Sequence, residues 1–224
     1  MKNIVLFDLD GTLSPARKSV DPSVILKPLK DLSKVAEIGI VTGSGDEYIK
    51  EQASVLLEEL EDLHILPCNG TQYYKSSGEI IHNNSMIDEI GEFEFHILMQ
   101  MILELQYEIS SKYPISLTGH FVNFRGSMIN WCPIGRNANT VQRERFKRFD
   151  KQMMIRRVYL SLLKEKLDTL ANCITVVLGG NTSFDIYPRG WDKTYALRHF
   201  QDKKIYFVGD RCSGDGKDSL LKAI

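Results

Sequence analysis

Long apolar runs are missing from this 224-residue chain. No stretch approaches the ~20 residues that a bilayer-spanning helix needs, so no membrane role is expected. Cysteine is scarce as well: Cys68, Cys132, Cys173 and Cys212 lie far apart, with no CxxC pair and no metal-ligand spacing. That excludes a disulfide framework and a zinc ribbon, and reduced thiols are expected. The five histidines, His64, His82, His96, His120 and His199, form no spaced cluster. Charge bias is absent too, since 28 basic residues meet 29 acidic ones for a net charge of -1. The whole molecule is therefore not built to attract nucleic acid or anionic lipid. No repeat, low-complexity tract or long linker interrupts the chain. A secretory signal is not expected, because Asp8 and Asp10 break the first apolar run too early. The expected location is cytoplasmic.

What the chain does have is concentrated at its start. Ile4-Val5-Leu6-Phe7 reads as a buried strand, and it runs into Asp8-Leu9-Asp10-Gly11-Thr12. In open α/β sheets, ligands bind where the strands end. Two close carboxylates suit two roles: Asp8 as a nucleophile toward phosphorus, Asp10 as the group that handles the proton. A carboxylate attacking a phosphate needs a cation to offset repulsion, and Mg²⁺ fits a site of few carboxylates plus phosphate. A lone DxD also fits a solvated turn; the preceding strand and the Gly-Thr that follows favour chemistry.

Strand and helix patterns alternate from there. Asp21-Pro22 reads as a helix start carrying Ile25, Leu29, Leu32 and Val35. Ile38 to Val41 reads as a second strand ending at Thr42-Gly43-Ser44-Gly45. Asp46 is expected to cap a helix with Ile49, Ala53, Leu56, Leu57 and Leu60 on its apolar side, before a short strand at Ile65–Pro67. The order implies a parallel sheet with helices on its faces. After a hairpin at Gln72–Lys75 and Glu79–His82 the pattern changes. A long helix is expected from about Asp88 to Ser110, then strands at Phe121–Phe124 and Met128–Cys132. A charged helical stretch follows over Thr140–Leu167, then strands at Ile174–Leu178 and Phe184–Tyr187. The fold class expected is α/β: a Rossmann-like parallel-sheet core, residues 1–82 and 188–224, with an inserted α+β cap, residues 83–187. Beyond it, Asp192 is expected to cap a helix to Phe200, and Lys204–Val208 to form a strand ending at Gly209-Asp210.

Further candidates follow from position. Asp210 ends its strand as Asp8 does, which makes it a metal ligand; Asp218 is a more distant one, and Asp215 lies between them. Ser44, in a Gly-flanked turn, is placed to grip phosphate. Lys193 sits at a helix start, where the dipole disfavours a cation, so another use is expected for it. The insert holds nine basic residues and two acidic ones between Arg125 and Arg157. Arg125, Arg136 and Arg143 fall in or near turns and match phosphate geometry. Arg145, Lys147, Arg148, Arg156 and Arg157 read as a solvated helix face. A phosphorylated-substrate pocket and a nucleic-acid patch both remain open at this point.

The motifs Asp8-Leu9-Asp10-Gly11-Thr12, Ser44, Lys193 and Gly209-Asp210 resemble those of the haloacid dehalogenase superfamily of phosphotransferases. Phe124-Arg125, Pro133-Ile134-Gly135-Arg136, Arg143, Gly179-Gly180, Ser183-Phe184-Asp185 and Gly190-Trp191-Asp192-Lys193 are similar to the eukaryotic-type phosphomannomutases, and Leu197-Arg198-His199 and Ile205-Tyr206-Phe207 continue the match. The resemblance implies interconversion of mannose 6-phosphate and mannose 1-phosphate in GDP-mannose biosynthesis, primed by a hexose 1,6-bisphosphate. It implies a cytoplasmic homodimer joined through the caps, which also set specificity, with no nucleic-acid or membrane partner. Carried over, Asp8 is the nucleophile and Asp10 the general acid/base. Mg²⁺ would rest on Asp8, the Asp10 backbone carbonyl and Asp210. Ser44 and Lys193 would hold the transferring phosphoryl group. Arg125, Arg136, Arg143 and Ser183 would hold the distal phosphate, Asp185 a sugar hydroxyl, and Arg17 would reach the substrate from the core. A sugar-phosphate phosphatase of the same fold and a catalytically weak binding or regulatory homologue are the alternatives.

The resemblance is weakest at the fourth motif. Lys217 stands where the family has Asn, and Asp215 where it has Gly. The chain ends at Ile224, where the family continues through another strand and helix, so an open or otherwise covered sheet edge is expected.

Overall fold

The computed structural model describes residues 2–167 and 173–210. They form two compact units, Met1–Asn83 with Gly190–Ile224, and Asn84–Arg189.

The first unit is built on β1 (Asn3–Phe7). Its Ile4 and Leu6 are fully buried, as the unbroken apolar run requires of a strand covered on both faces. Next come α1 (Pro22–Leu32), β2 (Glu37–Val41), α2 (Asp46–Gln52), α3 (Ser54–Glu59), β3 (His64–Leu66), β4 (Gln72–Lys75) and β5 (Ile80–Asn83). After the insert the chain returns as a 3-10 helix, Lys193–Phe200, and then a last strand, Lys204–Val208. That strand pairs in parallel with β1, which pairs in parallel with β2, and β2 with β3; β4 and β5 extend the sheet antiparallel. One face packs on α1–α3 through Leu29, Ile38, Ile40, Ile49, Leu56 and Ile65. The other packs on the 3-10 helix through Ile4, Leu6, Leu66, Tyr73, Ala196 and Phe200.

Two sequence expectations shift here. The expected single helix after Ser44 is two, broken at Ala53, and Gly45 rather than Asp46 holds the N-cap position. Asp46 instead pairs with Lys50 one turn on and accepts a hydrogen bond from the Tyr74 hydroxyl. Val35, read as part of the apolar face of α1, lies past its end and is exposed.

The second unit contains α4 (Met86–Ile90), α5 (Glu92–Lys112), β6 (Val122–Phe124), β7 (Ile129–Trp131), α6 (Thr140–Met153), α7 (Ile155–Lys166), β8 (Ile174–Gly179) and β9 (Ser183–Pro188). Its sheet is antiparallel in the order β6-β7-β9-β8. Trp131 and Phe184 stack across β7 and β9 at 4.5 Å between ring centroids, and Trp131 Nε1 donates to Gln106 of α5 at 2.8 Å.

The long helix expected over Asp88–Ser110 divides at Gly91, whose φ of 92° no right-handed helix contains. Its buried face is Leu98, Ile102, Leu105 and Ile109, whereas Phe93 is exposed. The Thr140–Leu167 stretch divides at Met154, which is left-handed. Asp150 closes that bend: its carboxylate accepts from the Arg156 backbone N–H and from Arg156 Nε, each at 2.7 Å. Arg156 is therefore a largely buried ion-pair partner, not part of a solvated face. Among the described residues no helix is long and apolar enough to cross a membrane.

Candidate active site

The last strand (β10, Lys204–Val208), β1 and β2 are neighbours in one parallel sheet, so their carboxyl ends share an edge. The chain leaves β1 toward β2 on one side and returns on the other to form β10, which makes the β1/β10 boundary the topological switch point. Asp8 follows β1 directly, and its backbone N–H donates to the Val208 carbonyl at 2.9 Å. Asp8 is buried, and its Oδ1 accepts a hydrogen bond from Lys193 Nζ at 2.6 Å, an ion pair with side chains only 9% and 6% exposed. A pair this well buried must be mutually satisfied, because either charge alone would be costly there. Lys193 reaches it because Asp192 caps the 3-10 helix, accepting from the Thr194 N–H at 2.9 Å. The structure thus pairs the cation at the helix start with Asp8.

Asp10 points elsewhere. β1 has ended at Phe7, so strand periodicity no longer governs the two carboxylates. A tight turn holds the segment, with Gly11 N–H bonded to the Ser14 carbonyl at 2.7 Å and Leu13 N–H to the Leu9 carbonyl at 3.1 Å. Asp10 Oδ1 accepts from the Arg17 backbone N–H at 2.9 Å and from the Tyr48 hydroxyl at 3.1 Å. Arg17 is left-handed (φ 62°), which turns its N–H back to Asp10. Burial and the Asp10 charge push the Tyr48 hydroxyl up to about 12, so it remains a donor at neutral pH. Sequence reading passed over Tyr48; its only signal was an aromatic with a hydroxyl one turn into the helix that follows Ser44.

Gly11 has a φ of +89°, and a Cβ there would fall 2.5 Å from Asp210 Oδ2. The missing side chain is what lets the Asp210 carboxylate lie against the Asp8–Asp10 turn. Ser44 is half-buried after β2; its N–H donates to Thr42 Oγ1 at 3.1 Å and its carbonyl accepts from Cys68 N–H at 2.9 Å. Cys68, Asn69 and Gly70 beneath it all have positive φ, and Asn69 Nδ2 donates to the Trp191 carbonyl at 3.0 Å. Asn69 thereby links the Ser44 turn to the segment that carries Lys193, a role its sequence context did not reveal.

Asp8, the Asp10 carbonyl and Asp210 are hard oxygen donors of the kind Mg²⁺ takes, and the space left by Gly11 is where Asp210 enters. That donor set fits a magnesium ion. Among the described residues no three His, Cys, Asp or Glu side chains group as a metal cage. Asp218, Asp215 and Lys217 lie outside the described residues.

The second unit gathers its own set. Arg136 Nη1 donates to Asn130 Oδ1 at 2.9 Å, and Asn130 Nδ2 donates to Ser183 Oγ at 3.0 Å and Asp185 Oδ1 at 2.7 Å. Arg143 is spread over three acceptors: the Ala138 carbonyl at 2.8 Å, Thr182 Oγ1 at 2.8 Å and the Arg136 carbonyl at 2.7 Å. Arg125 Nε donates to Asn123 Oδ1 at 2.9 Å. Arg136, Arg143, Ser183 and Asp185, far apart in sequence, are thus joined in one hydrogen-bonded group; Asn130 was not anticipated.

Residues 25–221 match the sequence model of a family described as eukaryotic phosphomannomutase. A phosphomannomutase from Schizosaccharomyces pombe is 40% identical over 222 residues, covering 97% of this chain and 84% of that protein. Among solved structures, an IMP-bound IMP-nucleotidase from Plasmodium falciparum aligns with a TM-score of 0.67 at 11% identity, over 99% of this chain and 62% of that one. A phosphatase of the haloalkanoate (HAD) superfamily from Bacteroides thetaiotaomicron aligns with a TM-score of 0.61 at 17% identity, over 100% and 81%. The two solved structures share the fold.

Proposed function

The chain belongs to the eukaryotic phosphomannomutase family, and on that premise we propose that it interconverts mannose 6-phosphate and mannose 1-phosphate through an aspartyl-phosphate and a hexose 1,6-bisphosphate. The observation that carries the chemistry is the buried Asp8–Lys193 pair at the sheet's switch point. Lys193 holds one oxygen of Asp8 and offsets its charge as an anionic phosphate approaches. A bond forms from Asp8 to phosphorus while the bond from phosphorus to the sugar oxygen breaks. Asp10, held at one oxygen by Arg17 and Tyr48, delivers a proton to that leaving oxygen. In the return step Asp10 takes the proton from the hydroxyl at the other sugar position as it attacks phosphorus, and Asp8 is released. Bound Mg²⁺ supplies positive charge to the phosphoryl oxygens, held by Asp8, the Asp10 carbonyl and Asp210, with Asp218 as a further ligand.

Ser44 holds the transferring phosphoryl group. Arg125, Arg136, Arg143 and Ser183 hold the distal phosphate, Asp185 a sugar hydroxyl, and Arg17 contributes from the core. Residues 83–187 act as the specificity cap on a core of residues 1–82 and 188–224. A hexose 1,6-bisphosphate primes Asp8. The enzyme acts in the cytoplasm as a homodimer joined through its caps, and supplies mannose 1-phosphate for GDP-mannose synthesis. The exposed Phe93, Leu103 and Tyr107 on one face of α5 support the dimer.

The test is to supply mannose 1-phosphate, Mg²⁺ and a trace of glucose 1,6-bisphosphate. Mannose 6-phosphate is the expected product. Release of inorganic phosphate instead makes the protein a phosphatase, and no turnover makes it a binding homologue; either result overturns the mutase assignment.

A further inference from the structure

Asn130 lies in the middle of β7, in register opposite Asp185 of β9, and is 4% exposed. Its Nδ2 donates to Asp185 Oδ1 at 2.7 Å, to Ser183 Oγ at 3.0 Å and to the Phe184 carbonyl at 3.3 Å. Its Oδ1 accepts from Arg136 Nη1 at 2.9 Å. The direction of this amide follows from its neighbours: a guanidinium only donates and an ionised carboxylate only accepts. So the oxygen must face Arg136 and the nitrogen Asp185. A primary amide is the one small side chain that presents an acceptor and two donors in a single plane.

The three partners come from different places. Arg136 belongs to the turn after β7, Ser183 opens β9, and Asp185 is two residues further along it. Their backbones are fixed independently. Arg143 bonds the Ala138 and Arg136 carbonyls and Thr182 Oγ1, and Ser183 Oγ donates to the Gly179 carbonyl at 2.8 Å. The Gly179 bond orients the Ser183 hydroxyl, and Asn130 touches that hydroxyl, the Arg136 guanidinium and the Asp185 carboxylate together.

We infer that Asn130 is a positioning residue, which sets the geometry of the sugar-phosphate grip by holding Arg136, Ser183 and Asp185 in one arrangement; this rests on the assignment of those three to the substrate above. The amide does not take part in phosphoryl transfer. It organises, ahead of binding, the cation for phosphate and the carboxylate for a hydroxyl, so that little ordering remains when substrate arrives.

The experiment compares the full-length protein with Asn130→Asp, which keeps shape and the acceptor for Arg136 but removes both donors and sets two carboxylates against each other. KM for mannose 1-phosphate is expected to rise about 10- to 100-fold, the range for losing hydrogen bonds to a charged group. kcat at saturation should fall by less than about threefold, since the core is untouched. The calorimetric affinity for mannose 6-phosphate should weaken by the same factor as KM. Asn130→Ser, which adds no charge and is too short to span the acceptors, should move both quantities in the same direction and carries the test should Asn130→Asp fail to fold. In an Asp185→Ala background the effect of Asn130→Ser should shrink. A KM and affinity within about twofold of the parent, a loss confined to kcat, or an undiminished effect in the Asp185→Ala background each overturn the inference. If the parent binds mannose 6-phosphate but does not isomerise it, the mutase assignment falls while the affinity comparison still decides the role of Asn130.

Discussion

In the proposed mechanism Asp8 is the nucleophile, and its buried pairing with Lys193 makes its removal specific. Asp8→Asn keeps the shape and a hydrogen-bonding oxygen but loses the nucleophile. Turnover should fall by at least about 10⁴-fold. Phosphoryl transfer from labelled glucose 1,6-bisphosphate should mark the parent protein and leave the variant unlabelled. Asp10 depends on a residue no motif announces. Tyr48→Phe removes the hydroxyl 3.1 Å from Asp10 and leaves the ring in place. A hydrogen bond to a carboxylate contributes about 1.5–3 kcal/mol, so kcat should drop about 10- to 100-fold. KM should hold, because Tyr48 meets Asp10, the proposed proton-transfer group; steady-state kinetics over a range of mannose 1-phosphate would show the split. At this scale the sequence named Asp8, Asp10, Ser44, Lys193 and Asp210 because motif residues sit at fixed offsets from strand ends. Tyr48, Asn69 and Asn130 were invisible in it. Each works through a partner distant in sequence, and a lone Tyr or Asn carries no local mark of such a partner.

Elements were legible where hydrophobic period and flanking signals agreed. β1, β2 and Lys204–Val208 emerged from short apolar runs, and Asp21-Pro22 marked the start of α1 as a side-chain cap should. Helix breaks were not legible. Apolar spacing continues through Ala53, Gly91 and Met154, so the pattern stays helical while the backbone turns; φ is +92° at Gly91 and +55° at Met154. Nor was the buried face of α5 legible, since apolar residues lie all round that helix and only packing, against α7 among others, selects Leu98, Ile102, Leu105 and Ile109. At β3, His64 is buried between Tyr73, whose hydroxyl lies 2.7 Å from Nδ1, and Glu37, 2.9 Å from Nε2. Burial, aided by the Lys75 charge and opposed by Glu37, depresses its pKa to about 4. Between that value and the ordinary 6.5 the unfolded chain binds the proton and the folded one does not, so stability rises with pH across the interval and falls as acid is added. The contribution is on the order of 3 kcal/mol. The melting temperature should therefore decline as pH drops from 6.5 toward 4, and His64→Gln should flatten that decline, as measured by calorimetry across the range.

The whole molecule divides into a unit with a mostly parallel sheet, which bears Asp8, and a unit with an antiparallel sheet, which bears Arg125, Arg136 and Arg143. The proposed homodimer belongs to this scale. Phe93, Leu103 and Tyr107 are 70%, 56% and 76% exposed and share one side of α5 with His96 and Gln100, a face that pairing between two caps would cover. Sedimentation should give about twice the chain mass of 25.6 kDa. Replacing Phe93 and Tyr107 with Glu should shift the protein to the monomer, since a buried unpaired carboxylate at an interface costs several kcal/mol.

By itself the sequence marked the candidate groups at the strand ends, because a carboxylate after a buried strand, a Gly that tolerates close approach and a basic residue behind a helix cap are local facts. It also marked the change from alternating strands and helices to an α+β insert, which is written in the order of the apolar runs. Only the tertiary structure decided that Lys193 closes on Asp8 from 185 residues away, that Tyr48 reaches back to Asp10, and that Asn130 ties Arg136 to Ser183 and Asp185. The physical reason is one of range. Backbone preference and periodicity act over a few residues, whereas a buried polar group is satisfied by whatever the folded chain brings within about 3 Å of it.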